Sequence, residues 1–347
     1  MNKQKPTLLV TGGAGFIGAN YINYYLEKYP NMQLINLDKL TYAGSRTNLQ
    51  ALESLENYYF IQGDIADEKL VNTIFSMFNV SGVIHFAAES HVDRSIKNAK
   101  EFVKTNTLGT MILLQAARSA WEKEGTLTKK RFHHISTDEV YGSLGEDGKF
   151  HEETPYDPRN PYSASKASAN MLVKSFGHTY GMNVVISSSS NNYGPKQHEE
   201  KLIPTIISNA LRGEEIPIYG DGQNIRDWLY VEDHCRALDT IYHYGKAFET
   251  YNIGGGNEKV NMDIAVKICE ILDHMQAVKT PRSLDSFKNL ITFTTDRKGH
   301  DRRYAVDDTK LRESLGWKPI ESLESGLKKT IDWYVAQWDQ TLQKSRL

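Results

Sequence analysis

Tyr162 and Lys166 stand four residues apart in Asn160-Pro161-Tyr162-Ser163-Ala164-Ser165-Lys166, at the head of a stretch patterned as a helix over 162–180. Residues at that spacing share a helical face, so the lysine ammonium is expected beside the phenol. A phenol with a pKa of about 10 is a poor base at neutral pH, and a neighbouring cation favours the phenolate and lowers that value. Tyr162 could then take a proton from an alcohol. A second group follows an apolar run, in Ser136-Thr137-Asp138-Glu139-Val140-Tyr141-Gly142, where a hydroxyl precedes two adjacent carboxylates. Alcohol oxidation needs only a hydroxyl, a tyrosine and a lysine, so the added acid and base imply a second reaction with divided roles. Taken alone, the first group reads as a surface pair and the second as a solvated turn or helix cap. The rest of the chain decides between these readings.

Short runs rich in Val, Ile and Leu recur at 7–10, 33–37, 58–61, 82–86, 132–135 and 183–186, separated by longer helical patterns. Such runs predict buried parallel strands joined by helical crossovers. The first run leads at once into Gly12-Gly13-Ala14-Gly15-Phe16-Ile17-Gly18, before a helix expected over 19–29. Glycines there let the backbone turn tightly and approach a pyrophosphate whose charge meets the helix N-terminus. Asp38 closes the second run, twenty residues past Gly18. A carboxylate at that place accepts both ribose hydroxyls and repels a 2′-phosphate, which favours NAD over NADP, although Lys39 and Arg46 stand nearby as cations. Asp64, in Gly63-Asp64-Ile65, could reach the adenine amino group or cap the next helix. The small residues in Phe86-Ala87-Ala88-Glu89-Ser90 leave room for the nicotinamide half at the switch point of the sheet. The fold expected is α/β, a doubly wound parallel Rossmann sheet. From Asn191 onward the rhythm breaks into Pro- and Gly-bearing segments such as Tyr219-Gly220-Asp221-Gly222, which predicts a smaller C-terminal lobe. The division expected is 1–190 for the cofactor domain and 191–347 for the lobe. A helix at 233–244 and a strand at 251–254 place 233–255 back with the first sheet.

The chain has 347 residues, 39% hydrophobic and 24% charged, with a formal net charge of −2. That is enough to bury a large core, and without a basic excess or a long Lys/Arg run nucleic acid is not an expected partner. No run of about 18 apolar residues predicts a membrane span, and the N-terminal residues lack the apolar core of a secretion signal. Cys235 and Cys269 have no C-x-x-C or metal spacing and read as buried free thiols of a cytoplasmic protein. His133 and His134 point to opposite faces of a strand with no carboxylate spacing, so they predict core packing and no metal.

Ser-Thr-Asp-Glu-Val-Tyr-Gly, Pro-Tyr-Ser-Ala-Ser-Lys, and Ala-Ala-Glu-Ser-His-Val-Asp-Arg-Ser together resemble the dTDP-glucose 4,6-dehydratases, extended members of the short-chain dehydrogenase/reductase superfamily. The likeness spans nearly the whole chain, through Ser190-Asn191-Asn192-Tyr193-Gly194-Pro195, Glu200-Lys201-Leu202-Ile203-Pro204 and 296–304. Thr-Asp-Glu is its most specific mark. The resemblance implies an enzyme that turns dTDP-glucose into dTDP-4-keto-6-deoxy-glucose, toward dTDP-rhamnose or related deoxysugars. Tyr162, aided by Lys166 and Thr137, would deprotonate the C4 hydroxyl as hydride passes from C4 to NAD. Glu139 would then remove the C5 proton while Asp138 protonates the departing C6 hydroxyl, and hydride would return to C6 with a proton restored at C5. It implies an NAD site of Gly12, Gly15, Phe16, Ile17, Gly18, Asp38, Lys39, Thr41, Asp64, Ile65, Ala87, Ala88, Ser90, Thr105, Tyr162, Lys166 and Asn192. It also implies a substrate site of Ser90, Thr137, Asn191, Lys201, Leu202, Pro217, Tyr219, Arg226, Asn261, Arg297 and His300. A homodimer through helices at about 101–121 and 162–180 is likewise implied.

Three stretches depart from the family pattern: Ser187-Ser188-Ser189 where Arg-Cys is common, Lys196-Gln197-His198-Glu199 where an aromatic, proline-bearing run is usual, and Lys298 where proline is usual. They bear on packing of the substrate loops and leave the catalytic set untouched. Rival readings share the fold. They are a nucleotide-sugar 4-epimerase, a nucleotide-glucuronate decarboxylase and a GDP-mannose 4,6-dehydratase; the epimerase has no need of Asp138-Glu139 to expel a C6 hydroxyl, and the last prefers NADP, which Asp38 opposes. A sensor that only binds dinucleotide has no use for Tyr162, Lys166 and the acidic pair.

Overall fold

The computed structural model describes residues 5–275, 284–296 and 300–344, the last five as backbone. Seven parallel strands form the main sheet: β1 Thr7–Thr11, β2 Gln33–Asp38, β3 Tyr58–Gln62, β4 Val80–His85, β5 Arg131–Thr137, β6 Val184–Ser189 and, from much later in the chain, β10 Thr250–Ile253. Their order is β10-β6-β5-β4-β1-β2-β3, so the direction of winding reverses between β1 and β4. That is the order of a doubly wound dinucleotide fold, which opens a crevice at the carboxyl ends of the strands.

Alternation along each strand supplies both cores. Leu8 and Val10 of β1 face a cluster with helices α1 Phe16–Lys28 and α8 Val231–Tyr244, while Leu9 faces the opposite cluster, with α2 Glu68–Met77, α5 Thr110–Lys123 and α6 Pro161–Tyr180. Strands covered on both faces read as continuous apolar runs, which is why they were legible. At the edge, β3 is only partly buried, since one of its sides has no neighbouring strand.

Two short helices, α3 Val92–Lys97 and α4 Ala99–Phe102, follow β4. The single helix expected over 101–121 is interrupted, because a π-helical stretch, Val103–Gly109, joins α4 to α5. It turns the consecutive residues Thr105 and Asn106 both inward. Helix α1 begins at Phe16, three residues before the predicted start, because Gly15 is extended and serves as its N-cap.

The smaller lobe has two little sheets. One is β11-β9-β7, from β7 Asn191–Tyr193, β9 Ile225–Tyr230 and β11 Glu258–Val260; the other pairs β8 Ile216–Tyr219 with β12 Ile291–Thr294. Helices α7 Leu202–Arg212, α9 Asn261–His274 and α11 Leu323–Lys344 share a core with them. Helix α10, Thr309–Leu315, packs against β10. Cys235 and Cys269 are buried free thiols. Among the described residues no helix is long and apolar enough to cross a membrane.

Asp239 of α8 ties that helix to α1. It accepts hydrogen bonds from Lys28 Nζ at 2.7 Å and Tyr29 Oη at 3.1 Å, and His243 Nε2 stands 3.4 Å from its other oxygen. Burial alone would raise its pKa, but the hydrogen bonds from His243 and Lys28 outweigh this and hold it below the ordinary value. A carboxylate so depressed adds stability above its unfolded pKa, and that stability is lost as pH falls through the folded value. Asp239→Asn should therefore cost about 2–3 kcal/mol at neutral pH, the lower end for a buried pair because Lys28 is half exposed. The deficit, read from denaturant midpoints, should shrink on acidification.

Candidate active site

Helix α6 begins where its cap sets it. Asn160 Oδ1 accepts from Ser163 N at 2.9 Å, Ser163 Oγ accepts from Asn160 N at 3.3 Å, and Pro161 fills the first turn. This reciprocal capping fixes the phase of the helix, so that Tyr162, Ser165 and Lys166 all face inward. Ser165 Oγ accepts from Asn106 Nδ2 at 2.8 Å, and Asn106 in turn holds both the N–H and the carbonyl of Glu89. One buried amide thereby fastens α6 to the segment after β4.

Lys166 Nζ donates to Ile135 O of β5 at 2.7 Å and lies 3.5 Å from His134 Nε2. Burial lowers its pKa to about 7. The expectation that the lysine would depress the Tyr162 pKa is corrected here: the phenol is raised well above its ordinary value. Burial is the largest cause, the Glu139 carboxylate adds to it, and a hydrogen bond with Thr137 opposes it. Desolvation penalises the phenolate and the ammonium alike, and the ammonium is aimed at a backbone carbonyl.

Thr137 ends β5 and caps the 3₁₀ turn Asp138–Tyr141, its Oγ1 accepting from Glu139 N at 3.3 Å. The turn sends Asp138 inward, 2% exposed, and leaves Glu139 partly exposed. Burial raises the Asp138 pKa well above its usual range, and the Glu139 charge adds to it. Its Oδ2 is buried without a hydrogen-bond partner. The two neighbours are thus differentiated, one buried with its protonated form favoured and one partly exposed. This is the division that acid and base work needs.

Two cavities meet over these groups. The first, about 310 Å³, runs along the carboxyl ends of the strands. It is lined by Gly12, Gly15, Phe16, Ile17, Gly18, Asp38, Lys39, Thr41, Asp64, Ile65, Ala87, Ala88, Ser90, Thr105, Asn192, Tyr162 and Lys166, all from the predicted cofactor set, and by Thr137, Asp138 and Glu139. The second, about 220 Å³, lies between the lobes and is lined by Ser90, Glu139, Asn191, Lys201, Leu202, Pro217, Tyr219, Arg226, Asn261 and His300. Ser90, Glu139, Asn191, Asn192, Gln197, Glu200 and Lys201 line both. Arg297 and Lys298 lie outside the described residues.

The first cavity fits a dinucleotide on its own geometry. A Cβ at Gly12, whose φ is +72°, would meet Ala87 N at 2.5 Å, and one at Gly18 would meet Gly12 O at 2.4 Å. Gly15 caps α1 without a side-chain bond and no acidic residue occupies the first turn, so the helix N-terminus presents its N–H groups to an anion. Thr105 Oγ1 and Asn192 Oδ1 are buried and unpartnered. Asp38 accepts from Ala14 N and Leu40 N, both at 2.8 Å, one to each oxygen, so it also holds the glycine turn in shape. Of the two nearby cations, Lys39 is paired with Asp64 at 3.0 Å and Glu101 at 3.2 Å, and Arg46 with Glu53 at 2.7 Å. Asp64 is no helix cap; Asp67 caps α2.

Arg226 departs from a freely offered phosphate clamp. It is buried over the Tyr304 ring and already donates to the carbonyls of Ile225, Arg302 and Asp301. Asn261 Oδ1 is buried with no partner. His91, Gln197, Glu200, Asp301 and Tyr304 also line the second cavity and were not in the predicted site. Glu200 lay inside a quoted motif, and Asp301 and Tyr304 lay inside 296–304, so their signal was present. His133, expected in the core, is buried with Nε2 3.0 Å from Ser187 Oγ, which accounts for one of the three serines. Among the described residues no cluster of three His, Cys, Asp or Glu could hold a metal.

Residues 9–330 match the family model described as GDP-mannose 4,6 dehydratase. The chain is 50% identical over 334 residues to dTDP-glucose 4,6-dehydratase of Neisseria gonorrhoeae, covering 95% of this chain and 96% of that one. In structure it is similar to the dTDP-glucose 4,6-dehydratase of Streptomyces venezuelae, solved with NAD bound, at a TM-score of 0.87, 41% identity and coverage of 96% and 98%. The enzyme of the same description from Bacillus anthracis, solved in complex with NAD, gives 0.84, 41%, 96% and 98%. The chain therefore belongs to this dehydratase family.

Burial, with the neighbouring Glu139 charge, favours the protonated form of Asp138. Infrared spectra of the unliganded protein taken at about pH 6 and about pH 8, on either side of neutrality, should each hold a carboxylic C=O band that Asp138→Asn removes and Tyr162→Phe retains. Absence of that band from the unsubstituted protein at both pH values would mean that Asp138 is ionised.

Proposed function

We propose that this protein converts dTDP-glucose to dTDP-4-keto-6-deoxy-glucose through an internal redox cycle with NAD. The reading is carried by the junction of the two cavities, where Glu139 belongs to both and Tyr162, Thr137 and Asp138 line the first beside it. A sugar at that junction has its nucleotide in the second cavity and its reacting carbons against the first.

Gly12, Gly15 and Gly18 with the α1 N-terminus would hold the pyrophosphate, Asp38 the adenosine ribose, and Thr105, Asn192 and Lys166 the nicotinamide half. When bound, NAD accepts a hydride from C4 of the sugar and later returns it to C6. Tyr162 takes the C4 hydroxyl proton, with Thr137 on the phenol. A raised phenol pKa leaves little phenolate to act as the base until positive charge enters the pocket, so deprotonation waits for a loaded site. Glu139, the partly exposed carboxylate, removes the C5 proton that the 4-ketone has acidified and would give a proton back to C5 when C6 is reduced. Asp138, the buried acid, gives its proton to the C6 hydroxyl as water leaves. In the second cavity Lys201, Arg226 and Asn261 face the diphosphate and base.

The family model's description does not fix the base, but relatives near half identity are dTDP-glucose enzymes. The pairing of Lys39 and Arg46 with carboxylates also supports NAD, since neither is free to greet a 2′-phosphate. A cytoplasmic site of action agrees with a nucleotide-sugar substrate and two reduced, buried thiols.

We further propose a homodimer through α4, α5 and α6. Val103 and Leu108, in the π-helical stretch that joins α4 to α5, and Met171 of α6 are exposed apolar residues, and Ala164, Ser168, Met171 and Ser175 form one exposed stripe of α6 at helical spacing.

Substrate carrying deuterium at C4 should yield product with that label in the C6 methyl group, read by mass spectrometry; label lost to solvent would overturn the cycle. Asp138→Asn should slow loss of water by about 10²-fold or more while C4 oxidation persists, seen as reduced cofactor building up in a single turnover. Light scattering should report twice the monomer mass, and Met171→Asp should shift it toward monomer while the fold, by circular dichroism, is kept.

A further inference from the structure

Behind the site lies a buried layer that no proton-transfer step uses. Its members are His85 on β4 and His134 on β5, whose rings stand 5.2 Å apart. Thr110 Oγ1 donates to Asn106 O at 2.6 Å, so toward His85 Nε2, 2.8 Å away, it can only accept. This assigns the His85 proton to Nε2 and leaves Nδ1 to accept from Thr11 Oγ1 at 2.7 Å. His85 is thereby locked as a neutral ring with both nitrogens satisfied.

His134 is different. It is fully buried, its Nδ1 has no partner, and its Nε2 lies 3.5 Å from Lys166 Nζ. An imidazole buried with one nitrogen unmet is a poor way to fill a core, and an aliphatic or phenyl side chain would fill it without that penalty. What the imidazole offers is an acceptor for the lysine. An ammonium has three N–H donors. Ile135 O takes one, His134 Nε2 lies where it can take the second, and the third is left for the cavity that Lys166 lines.

We propose that His134 is a positioning residue for the catalytic lysine: it fixes the rotation of the Lys166 ammonium against β5 and sustains its charge in a desolvated place. The proposal rests on the role given to Tyr162 and Lys166 above. The titratable groups facing the ammonium are His134 and His85 from the sheet and Tyr162 one turn earlier on α6. Both histidines are held neutral by burial, with the lysine's charge adding to it. Neither histidine therefore competes with the ammonium for charge.

Two amide substitutions separate this role from simple packing. In H134Q the amide reaches the place of Nε2, and in H134N it stops near that of Nδ1. With ¹³C-lysine-labelled protein, and Lys166 identified by its loss in Lys166→Met, the Lys166 signal should titrate near 7 in the unsubstituted protein. It should titrate at lower pH in H134N and close to the original value in H134Q. In turnover with dTDP-glucose, H134N should lose roughly tenfold or more in kcat with little change in KM, and H134Q should recover most of it. H133N, altered on the opposite face of β5, should leave kcat and the Lys166 titration in place. Equal behaviour of H134N and H134Q in the lysine titration, whether both shifted or both unshifted, overturns the proposal, with melting curves confirming that each is folded. The titration needs no substrate, so an unsubstituted enzyme that titrates as expected but fails to transfer the label would sink the dehydration reading and leave the His134 contact standing.

Discussion

The hydrogen bond from Lys166 Nζ to Ile135 O joins a helix to the middle of the sheet at the edge where the cavities open. Everything near the reaction is placed relative to it. The Asn160 and Pro161 cap sets where α6 starts, hence which residues face in, and the same strand that receives the lysine continues into Thr137, Asp138 and Glu139. A side chain at the end of a strand and one on the next crossover helix are brought together by sheet geometry, without any loop having to hold them.

Desolvation then sets the chemistry. Tyr162, Asp138 and Lys166 are all buried, and for each the charged form is penalised. Burial favours the protonated carboxyl and the neutral phenol, and it brings the amine near the point of losing its proton. Glu139, next in sequence to Asp138, is only partly buried because the 3₁₀ turn points successive residues in different directions. One residue of offset is enough to give two carboxylates different surroundings.

The main sheet was legible because both its faces are covered, so that its strands stand out as apolar runs. The glycine turn was legible because its spacing is dictated by backbone approach, as Gly12 and Gly18 show. The lining of both cavities was largely readable from motifs. What was not readable depends on environment. Spacing put Lys166 near Tyr162, but the direction of the phenol's shift follows from burial and from Glu139, which arrives on another segment. Arg226 looked like a free phosphate donor, yet carbonyls of 225, 301 and 302 claim several of its N–H groups, and nothing in its own neighbourhood of sequence announces a residue 75 positions away. The π-helical stretch at Val103–Gly109 had no signature either, since its purpose is to turn both Thr105 and Asn106 inward.

Strand β10 comes after the chain has already built β7, β8 and β9 of the smaller lobe, and it lies along β6 at the margin of the large sheet. The two lobes are therefore sewn together by the backbone. A fragment that stopped after β6 would leave that strand's N–H and C=O groups bare, an open template for another molecule's strand. Recombining cofactor and substrate halves from different ancestors by a single cut in the gene would meet the same obstacle, so change in this architecture is steered toward the loops lining the second cavity and away from wholesale exchange of lobes.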